Sequence, residues 1–506
     1  MDFQTENAVI AVWEAPTPCE AECPIDGDFL LPDYCPDIAA ILKCTVKPAV
    51  LSRQWSGDKL LVEGQSLVRV LYLDEERKCV RSFEGIHPFH GTIDAVGTSP
   101  AELPYVSVRV NYVNCRAVSP RRIGVHGALT VKMECDPVKP AEVISDISGQ
   151  NLYTRQEDVF CTVPVGAAEK NFSIGEVVDL GGGKPAAEML IRTDCTPLIT
   201  ECKQLSGKAI VKGRILLKTL YAVNTTDGTT EVTNHEFPFS QIIEMDGMED
   251  TTQCLSHIDL QSLDVHITAD QNGNGTLLSV NIKLCIRLNG WRTDKIGVVT
   301  DAYSGIYPCE SESGRFVSQE LCFARRENTV LKEVLELPSD SVTEIVDIWC
   351  ETVPVTTRME GEMCYADGHL PISMLARDRE GCLSYYEHVS DFTLQFDDRC
   401  DCMTADVTLV GVEYAIVGGK IEIRLEFSVD RCGYNRRSLQ ALTYFDLLGE
   451  PYPSSDAALR ICRAKKGDSV WEIAKTCHTA VEAVLEENEL PGDEVPEDMM
   501  LLVPLC

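Results

Sequence analysis

The sequence predicts a mainly β protein: three tandem antiparallel β-rich repeat units of about 150 residues, followed by a small βααβ module. Three observations support this prediction. Two residue markers recur at one common spacing, apolar residues alternate around glycine-containing turns, and helical spacing replaces that alternation after residue 460. At 506 residues the chain is too long for one hydrophobic core, so three or four domains are expected.

The first repeat marker is a strand that contains a glycine. Residues 62–72, VEGQSLVRVLY, align with residues 211–221, VKGRILLKTLY, and a weaker third copy follows. The marker glycines are Gly64, Gly213 and Gly368, which are 149 and 155 residues apart. The third copy departs from the other two because it has Ala376 where they end in tyrosine.

The second marker is a phenylalanine. It occurs at Phe89, Phe239 and Phe392, which are 150 and 153 residues apart. Because two independent markers share one period, the chain contains an internal repeat. We interpret these aromatic markers, together with Tyr72 and Tyr221 at the ends of the glycine-containing strands, as core residues.

The second half of each unit is predicted to be an antiparallel hairpin. Alternating segments flank a turn in each unit, with Asn-Gly in the second and Gly-Gly in the third. The predicted partners are residues 106–110 with 123–131, 263–267 with 277–282, and 407–417 with 420–427. These observations place the units at residues 1–150, 151–305 and 306–445, a Pro-rich linker at 446–459, and the module at 460–506.

The net charge of −34 and the pI near 4.6 disfavour nucleic acid and anionic membrane surfaces as partners, because both would repel the chain. No run of 18 apolar residues is present, so no membrane span is predicted. No signal sequence is recognised at the start, and the 23 scattered cysteines fit free thiols in a reducing compartment. We therefore expect a cytoplasmic protein.

The sequence shows no catalytic, cofactor or metal motif. The Gly-rich run at residues 179–185 lacks the Ser or Thr that follows Lys in a phosphate-binding loop. Cys-x-x-Cys, Gly-x-Ser-x-Gly and His-Glu-x-x-His are also missing. We interpret the chain as a binding protein and not as an enzyme, with no cofactor and no metal.

The terminal module is predicted from two helix starts between two short strands. A strand leads into a turn at residues 467–468, and Ser469 with Glu472 has the spacing of a capping box. Thr479 with Glu482 has the same spacing, and an apolar run at 499–505 ends the module as a strand.

Residues 465–474, KKGDSVWEIA, resemble the opening of a LysM domain. This resemblance implies a groove between the turn and the loop after the second helix, which in this family commonly binds N-acetylglucosamine-containing glycans. The implied groove residues are Lys466, Gly467, Asp468, Ser469, Val470, Leu490, Pro491 and Gly492, and the implied core residues are Trp471, Ile473, Ala474 and Leu485. The chain departs from the family where residues 496–498 read Pro-Glu-Asp in place of Pro-Gly-Gln, and the preceding loop is acidic.

The repeat markers resemble the SPOCS domain of endospore-forming bacteria. Three such units before a LysM domain is the layout of a family of spore-coat morphogenesis proteins. That resemblance implies a scaffold in the mother cell, whose LysM domain binds a coat-morphogenesis ATPase on the forespore surface and acts with other coat proteins. Two alternatives remain open: a peptidoglycan- or cortex-binding protein, and a wall hydrolase with a LysM anchor, for which no catalytic domain is found.

Overall fold

The computed structural model describes residues 3–15, 19–94, 104–134, 138–339, 341–351, 354–453 and 457–505. It is built almost entirely of antiparallel strands, which confirms the mainly β prediction. The first 149 residues contain β1 (Phe3–Trp13), β2 (Cys19–Leu30), β3 (Ala40–Ser56), β4 (Lys59–Leu73), β5 (Val80–Asp94), β6 (Tyr105–Ser119), β7 (Arg122–Glu134) and β8 (Val138–Gly149). We call this segment unit 1.

Units 2 and 3 follow the same order of elements. Unit 2 contains β9 (Leu152–Asp179), β10 (Met189–Leu205), β11 (Lys208–Asn224), β12 (Thr229–Glu244), β13 (Gln253–Thr268) and β14 (Leu277–Ser304). Unit 3 contains β15 (Cys309–Glu336), β16 (Val342–Cys350), β17 (Thr356–Glu360), β18 (Met363–Asp378), β19 (Leu383–Phe396), β20 (Cys402–Val417) and β21 (Lys420–Leu447). The terminal module contains β22 (Leu459–Ala464), α1 (Val470–Cys477), α2 (Val481–Glu487) and β23 (Met499–Pro504).

Each unit is a sandwich of two sheets. In units 1 and 2 one sheet is a three-stranded meander, β3-β4-β5 or β10-β11-β12, and the other is β2-β7-β6 or β9-β14-β13. Unit 3 has the same plan, with β16 and β17 sharing one edge of β18 and β19 on the other. The predicted pairing of the hairpin strands is confirmed, since Val110 lies opposite Leu129, Leu263 opposite Ile282 and Val417 opposite Lys420.

The two repeat markers turn out to be a single contact. Gly64, Gly213 and Gly368 lie directly opposite Phe89, Phe239 and Phe392 in neighbouring strands. At all three positions a Cβ atom on the glycine would overlap the phenylalanine ring. The ring therefore fills the space that the glycine leaves, and the phenylalanine in this position requires a glycine opposite it.

The marker tyrosines are core residues, as predicted. Tyr72 and Tyr221 are fully buried, and each donates its hydroxyl hydrogen bond to a backbone carbonyl, of Pro36 and Pro185 respectively, at 3.2 Å. In unit 3 the equivalent Ala376 is also buried. The tyrosine thus joins the meander to the loop before it only in units 1 and 2.

The first and last strands of each unit extend beyond the sandwich as a two-stranded ribbon. The pairs β9/β14 and β15/β21 consist of strands of 28 residues each. In unit 1 the same span is divided, with β2 and β7 in the sandwich and β1 and β8 in the ribbon. Side chains of all three ribbons form shared clusters, exemplified by Ile10, Val143, Cys161, Val298 and Leu439.

The three meanders also contact one another. Leu73, Val80, Leu220, Val346 and Leu383 belong to one buried cluster drawn from all three units. With the ribbon contacts, this closes the units into a ring. The ring surrounds a cavity of about 2480 Å³ that residues from every unit line.

Ion pairs connect each unit to the next around the ring. Lys47 of unit 1 lies 3.2 Å from Asp194 of unit 2, and Lys218 of unit 2 lies 2.5 Å from Asp347 of unit 3. Lys43 of unit 1 lies 2.7 Å from Glu387 of unit 3, which completes the circuit. Burial disfavours the charged form of Asp194, but the surrounding cations outweigh it and hold the pKa of this carboxyl well below its usual value.

We predict that Gly213→Ala destabilises the protein by about 1–3 kcal/mol, because the new methyl group must displace Phe239 or the Leu198 carbonyl. Urea denaturation would measure the change. Gly297→Ala is the matched control, since Gly297 lies in β14 with open space around it. Equal stability of the two variants would show that the glycine–phenylalanine contact is not a packing constraint.

We predict that Asp347→Ala lowers the free energy of unfolding by about 3–5 kcal/mol. The substitution leaves the buried Arg192 side chain without one of its carboxylate partners, and it also removes the ion-pair partner of Lys218. Thermal and urea unfolding would report it. Asp94→Ala is the control, because it removes an aspartate that pairs with Lys59 at an exposed site. We expect it to change the free energy of unfolding by less than about 1 kcal/mol.

Candidate binding groove in the terminal module

The terminal module has its own small core beneath the two helices. Strands β22 and β23 pair antiparallel, and α1 and α2 cover them. Trp471 is 7% exposed and Ala474 is fully buried, while Ile473 and Leu485 are half-buried against the same cluster. All four residues that the sequence placed in this core therefore lie in or against it.

The predicted capping boxes are wrong. Ser469 precedes α1, but its hydroxyl donates to Asp493 at 3.3 Å and makes no capping bond. The backbone N–H of Trp471 instead donates to Asp493 at 2.9 Å, so the carboxylate of a distant loop caps the helix. Helix α2 begins after Ala480 with no side-chain cap, and Thr479 is buried.

The turn at residues 467–470 is hydrogen-bonded to residues 493–495, which directly follow the predicted second wall at 490–492. The N–H of Gly467 donates to the Val495 carbonyl at 2.8 Å, and the N–H of Val495 donates to the Asp468 carbonyl at 3.0 Å. The N–H of Val470 donates to the Asp493 carbonyl at 2.7 Å. Gly467 has φ of +85°, a conformation that favours glycine and makes the turn possible.

Acidic side chains hold these loops in shape. Asp468 accepts a hydrogen bond from the N–H of Lys465 at 2.8 Å, and Asp498 accepts one from the N–H of Lys466 at 2.9 Å. Asp498 stands where the LysM pattern has glutamine. This departure from the pattern thus supplies an acceptor for the backbone of the opposite loop.

The groove residues differ in their access to solvent. Lys466, Gly467, Asp468, Pro491 and Gly492 are exposed, whereas Ser469 and Leu490 are half-buried. Val470 is fully buried, so its side chain belongs to the core of the module. A ligand in the groove would contact the exposed residues of both loops.

The module is docked on the ribbon of unit 2 through Asp301. The Asp301 carboxylate accepts a 2.7 Å hydrogen bond from the indole N–H of Trp471 and forms a 2.7 Å ion pair with Lys475. Tyr303, from the same strand, donates its hydroxyl to the Thr479 carbonyl at 2.7 Å and packs edge-to-face on Trp471. Sequence reasoning missed this contact, because no local pattern connects residues 170 positions apart.

Arg155, on the other strand of the same ribbon, also contacts the module. Arg155 forms a 3.5 Å ion pair with Asp493, the residue that caps α1. The exposed residues of the two loops remain accessible with the ribbon in place. Both loops therefore keep exposed residues in the docked arrangement, and unit 2 places the cation of Arg155 beside them.

The segment between unit 3 and the module is anchored along part of its length. The N–H of Leu448 donates to the Pro308 carbonyl and the N–H of Tyr452 to the Ile306 carbonyl, both at 2.7 Å. The Tyr452 ring stacks on His478 with a centroid distance of 3.7 Å. Residues 454–456 of the predicted linker lie outside the described residues.

Neither of the two helices in the described part of the chain is long and apolar enough to cross a membrane. Within the described ranges, His, Cys, Asp and Glu side chains form no cluster of three or more that could hold a metal ion.

Two comparisons with protein families identify the domain types. Residues 37–118 and 186–268 match the family described as SipL, SPOCS domain, and residues 462–504 match the LysM domain. The first two repeat units thus carry SPOCS domains and the terminal module is a LysM domain; both are binding domains without catalytic function. Comparison with curated proteins and with solved structures gives no match.

We predict that Asp301→Ala releases the LysM domain from the ribbon, because the docked Trp471 and Lys475 lose charge-assisted hydrogen bonds worth about 1.5–3 kcal/mol each. Limited proteolysis should then cut faster near residue 450.

Asp158→Ala serves as the control for this experiment. Asp158 lies on the same ribbon and pairs with Lys295 at an exposed site away from the module. Unchanged proteolysis of Asp301→Ala relative to this control would contradict the docking contact.

Proposed function

We propose that this protein, with its SPOCS and LysM domains, is a non-enzymatic scaffold of endospore formation. In this proposal the LysM domain binds a coat-morphogenesis ATPase and thereby links it to coat assembly on the forespore surface, within the mother cell. The proposal is supported by the contacts that hold the LysM domain on the ribbon of unit 2 while its two neighbouring loops keep exposed residues.

Fixed presentation suits a scaffold. The contacts from Asp301, Tyr303 and Arg155 set the orientation of the LysM domain on unit 2. A partner bound in the groove would therefore be held at a defined position relative to the three units. An anchor for long glycan strands needs no such orientation, because the strands offer many equivalent binding positions.

Charge at the groove also favours a protein partner. Lys465 and Lys466 are exposed on one loop, and Glu494 and Glu497 are exposed on the other. Such a mixed rim can be matched by opposite charges on a protein surface, which improves both specificity and the rate of association. A neutral sugar supplies no charge to pair with these groups.

Binding of an N-acetylglucosamine-containing glycan is the second candidate. It is favoured by one observation, that the LysM match spans residues 462–504 and so includes both groove loops. In this case the acidic side chains would serve only the loop structure, as Asp468 and Asp498 do.

We predict that Lys466→Glu weakens binding to the ATPase by about fivefold and reduces its salt dependence, as expected for the loss of one rim charge. The side chain of Lys466 is exposed, so the substitution should leave the domain folded. Affinity capture from sporulating cells, followed by titration with the purified partner, would test this.

Lys283→Glu is the control, because Lys283 is an exposed lysine in the sandwich of unit 2. Equal binding by both variants would place the contact elsewhere. Sedimentation of the intact protein with purified peptidoglycan, without capture of the ATPase, would replace the scaffold proposal with the glycan-binding one.

A further inference from the structure

Each of the three units contains one pair of neighbouring thiols between different parts of its sandwich. The pairs are Cys44 with Cys115 in unit 1, Cys202 with Cys254 in unit 2, and Cys364 with Cys400 in unit 3. The sulfur atoms are 3.7 Å apart in both unit 2 and unit 3. In unit 1 the neighbouring Cys115, together with burial, raises the pKa of the Cys44 thiol.

We propose that Cys202 and Cys254 form a reversible disulfide with a low-molecular-weight disulfide as the oxidant, and that this bond locks the two sheets of unit 2 together. The pairs Cys44/Cys115 of unit 1 and Cys364/Cys400 of unit 3 also consist of two neighbouring thiols. The 21 cysteines of the described ranges are free thiols in this structure.

The position of the pair fits a cross-sheet lock. Cys202 lies on β10 of the meander and Cys254 on β13 of the facing sheet. Both pack at the edge of the same buried cluster and are half-buried, so a small reagent can reach them. A disulfide needs a sulfur–sulfur distance of about 2.05 Å, so the two sulfur atoms must approach each other from the observed 3.7 Å.

Unit 1 links its two sheets at the equivalent position through an arginine side chain and not through thiols. Arg53 lies opposite Val62 in β4 just as Cys202 lies opposite Val211 in β11. Arg53 and Cys202 are 149 residues apart in the chain, as are Val62 and Val211, so the two positions are equivalent in the repeat. Arg53 donates a 2.7 Å hydrogen bond to the carbonyl of Pro104, the residue next to β6. A link between the two sheets at this position is therefore a repeated feature, and in unit 2 thiols occupy it.

Cys202 and Cys254 have different roles in the proposed thiol–disulfide exchange. The hydrogen bond from Cys254 lowers the pKa of Cys202 to about 7 despite its burial, so a large fraction is thiolate near neutral pH. The same interaction raises the pKa of Cys254. In the proposed reaction Cys202 attacks and Cys254 resolves, and the adduct expected on Cys202 in Cys254→Ser tests this order.

The exchange proceeds in two balanced steps. The Cys202 thiolate attacks one sulfur of oxidised glutathione, which forms a mixed disulfide and releases one glutathione thiolate. Cys254 then loses its proton to solvent and attacks the Cys202 sulfur, which releases the second glutathione thiolate. The protein loses two electrons and two protons, and the reagent disulfide is reduced to two thiols.

The test uses the reduced full-length protein and oxidised glutathione at pH 7.5, followed by alkylation of free thiols, digestion and mass spectrometry. We expect a peptide linked through Cys202 and Cys254. In Cys254→Ser, glutathione should instead accumulate on Cys202, since the resolving thiol is missing. Cys285→Ser is the control, because Cys285 is a half-buried cysteine of β14 in the same unit and the linked peptide should persist.

The wild-type measurement needs no variant, and circular dichroism would confirm that each variant is folded. Single glutathione adducts on wild-type protein without the linked peptide would overturn the proposal, as would linkage of Cys202 to another cysteine. The oxidised protein should melt several degrees higher than the reduced protein. A lower melting temperature would show that the bond does not act as a lock.

Discussion

A two-stranded ribbon cannot bury a hydrophobic core by itself, and this constraint shapes the whole molecule. Each unit extends its first and last strands well beyond its sandwich, and those extensions carry buried residues such as Val159, Val298 and Leu439. These side chains are removed from water only because the ribbons of the other two units cover them. The three units therefore depend on one another in a way that beads on a string do not.

The same dependence explains where the charged residues lie. Asp347 is almost fully buried at the boundary of two units, where Arg192 and Lys218 neutralise it. A carboxylate in that position is costly unless its partners from the neighbouring unit are in place. The ion pairs thus select one arrangement of units over others that would bury a similar apolar area.

The ribbon of unit 2 also positions the functional domain. Asp301 and Tyr303 lie near the end of β14, beyond the sandwich, and there they hold Trp471 and the start of α2. The stability of the ring and the presentation of the groove are consequently linked through one strand. A bond between Cys202 and Cys254 would join the two sheets of unit 2 and reinforce the same structure from within.

The sequence by itself determined the mainly β class, the repeat and the pairing of the predicted hairpin strands. These features depend on local alternation or on pairs such as Gly213 and Phe239, whose physical requirement is visible in residue type and spacing. The capping boxes failed because local spacing cannot show that Asp493 occupies the helix start. Only the tertiary structure decided the closed ring, the docking of Trp471 on Asp301 and the pairing of Cys202 with Cys254, because each joins residues whose separation along the chain leaves no periodic signal.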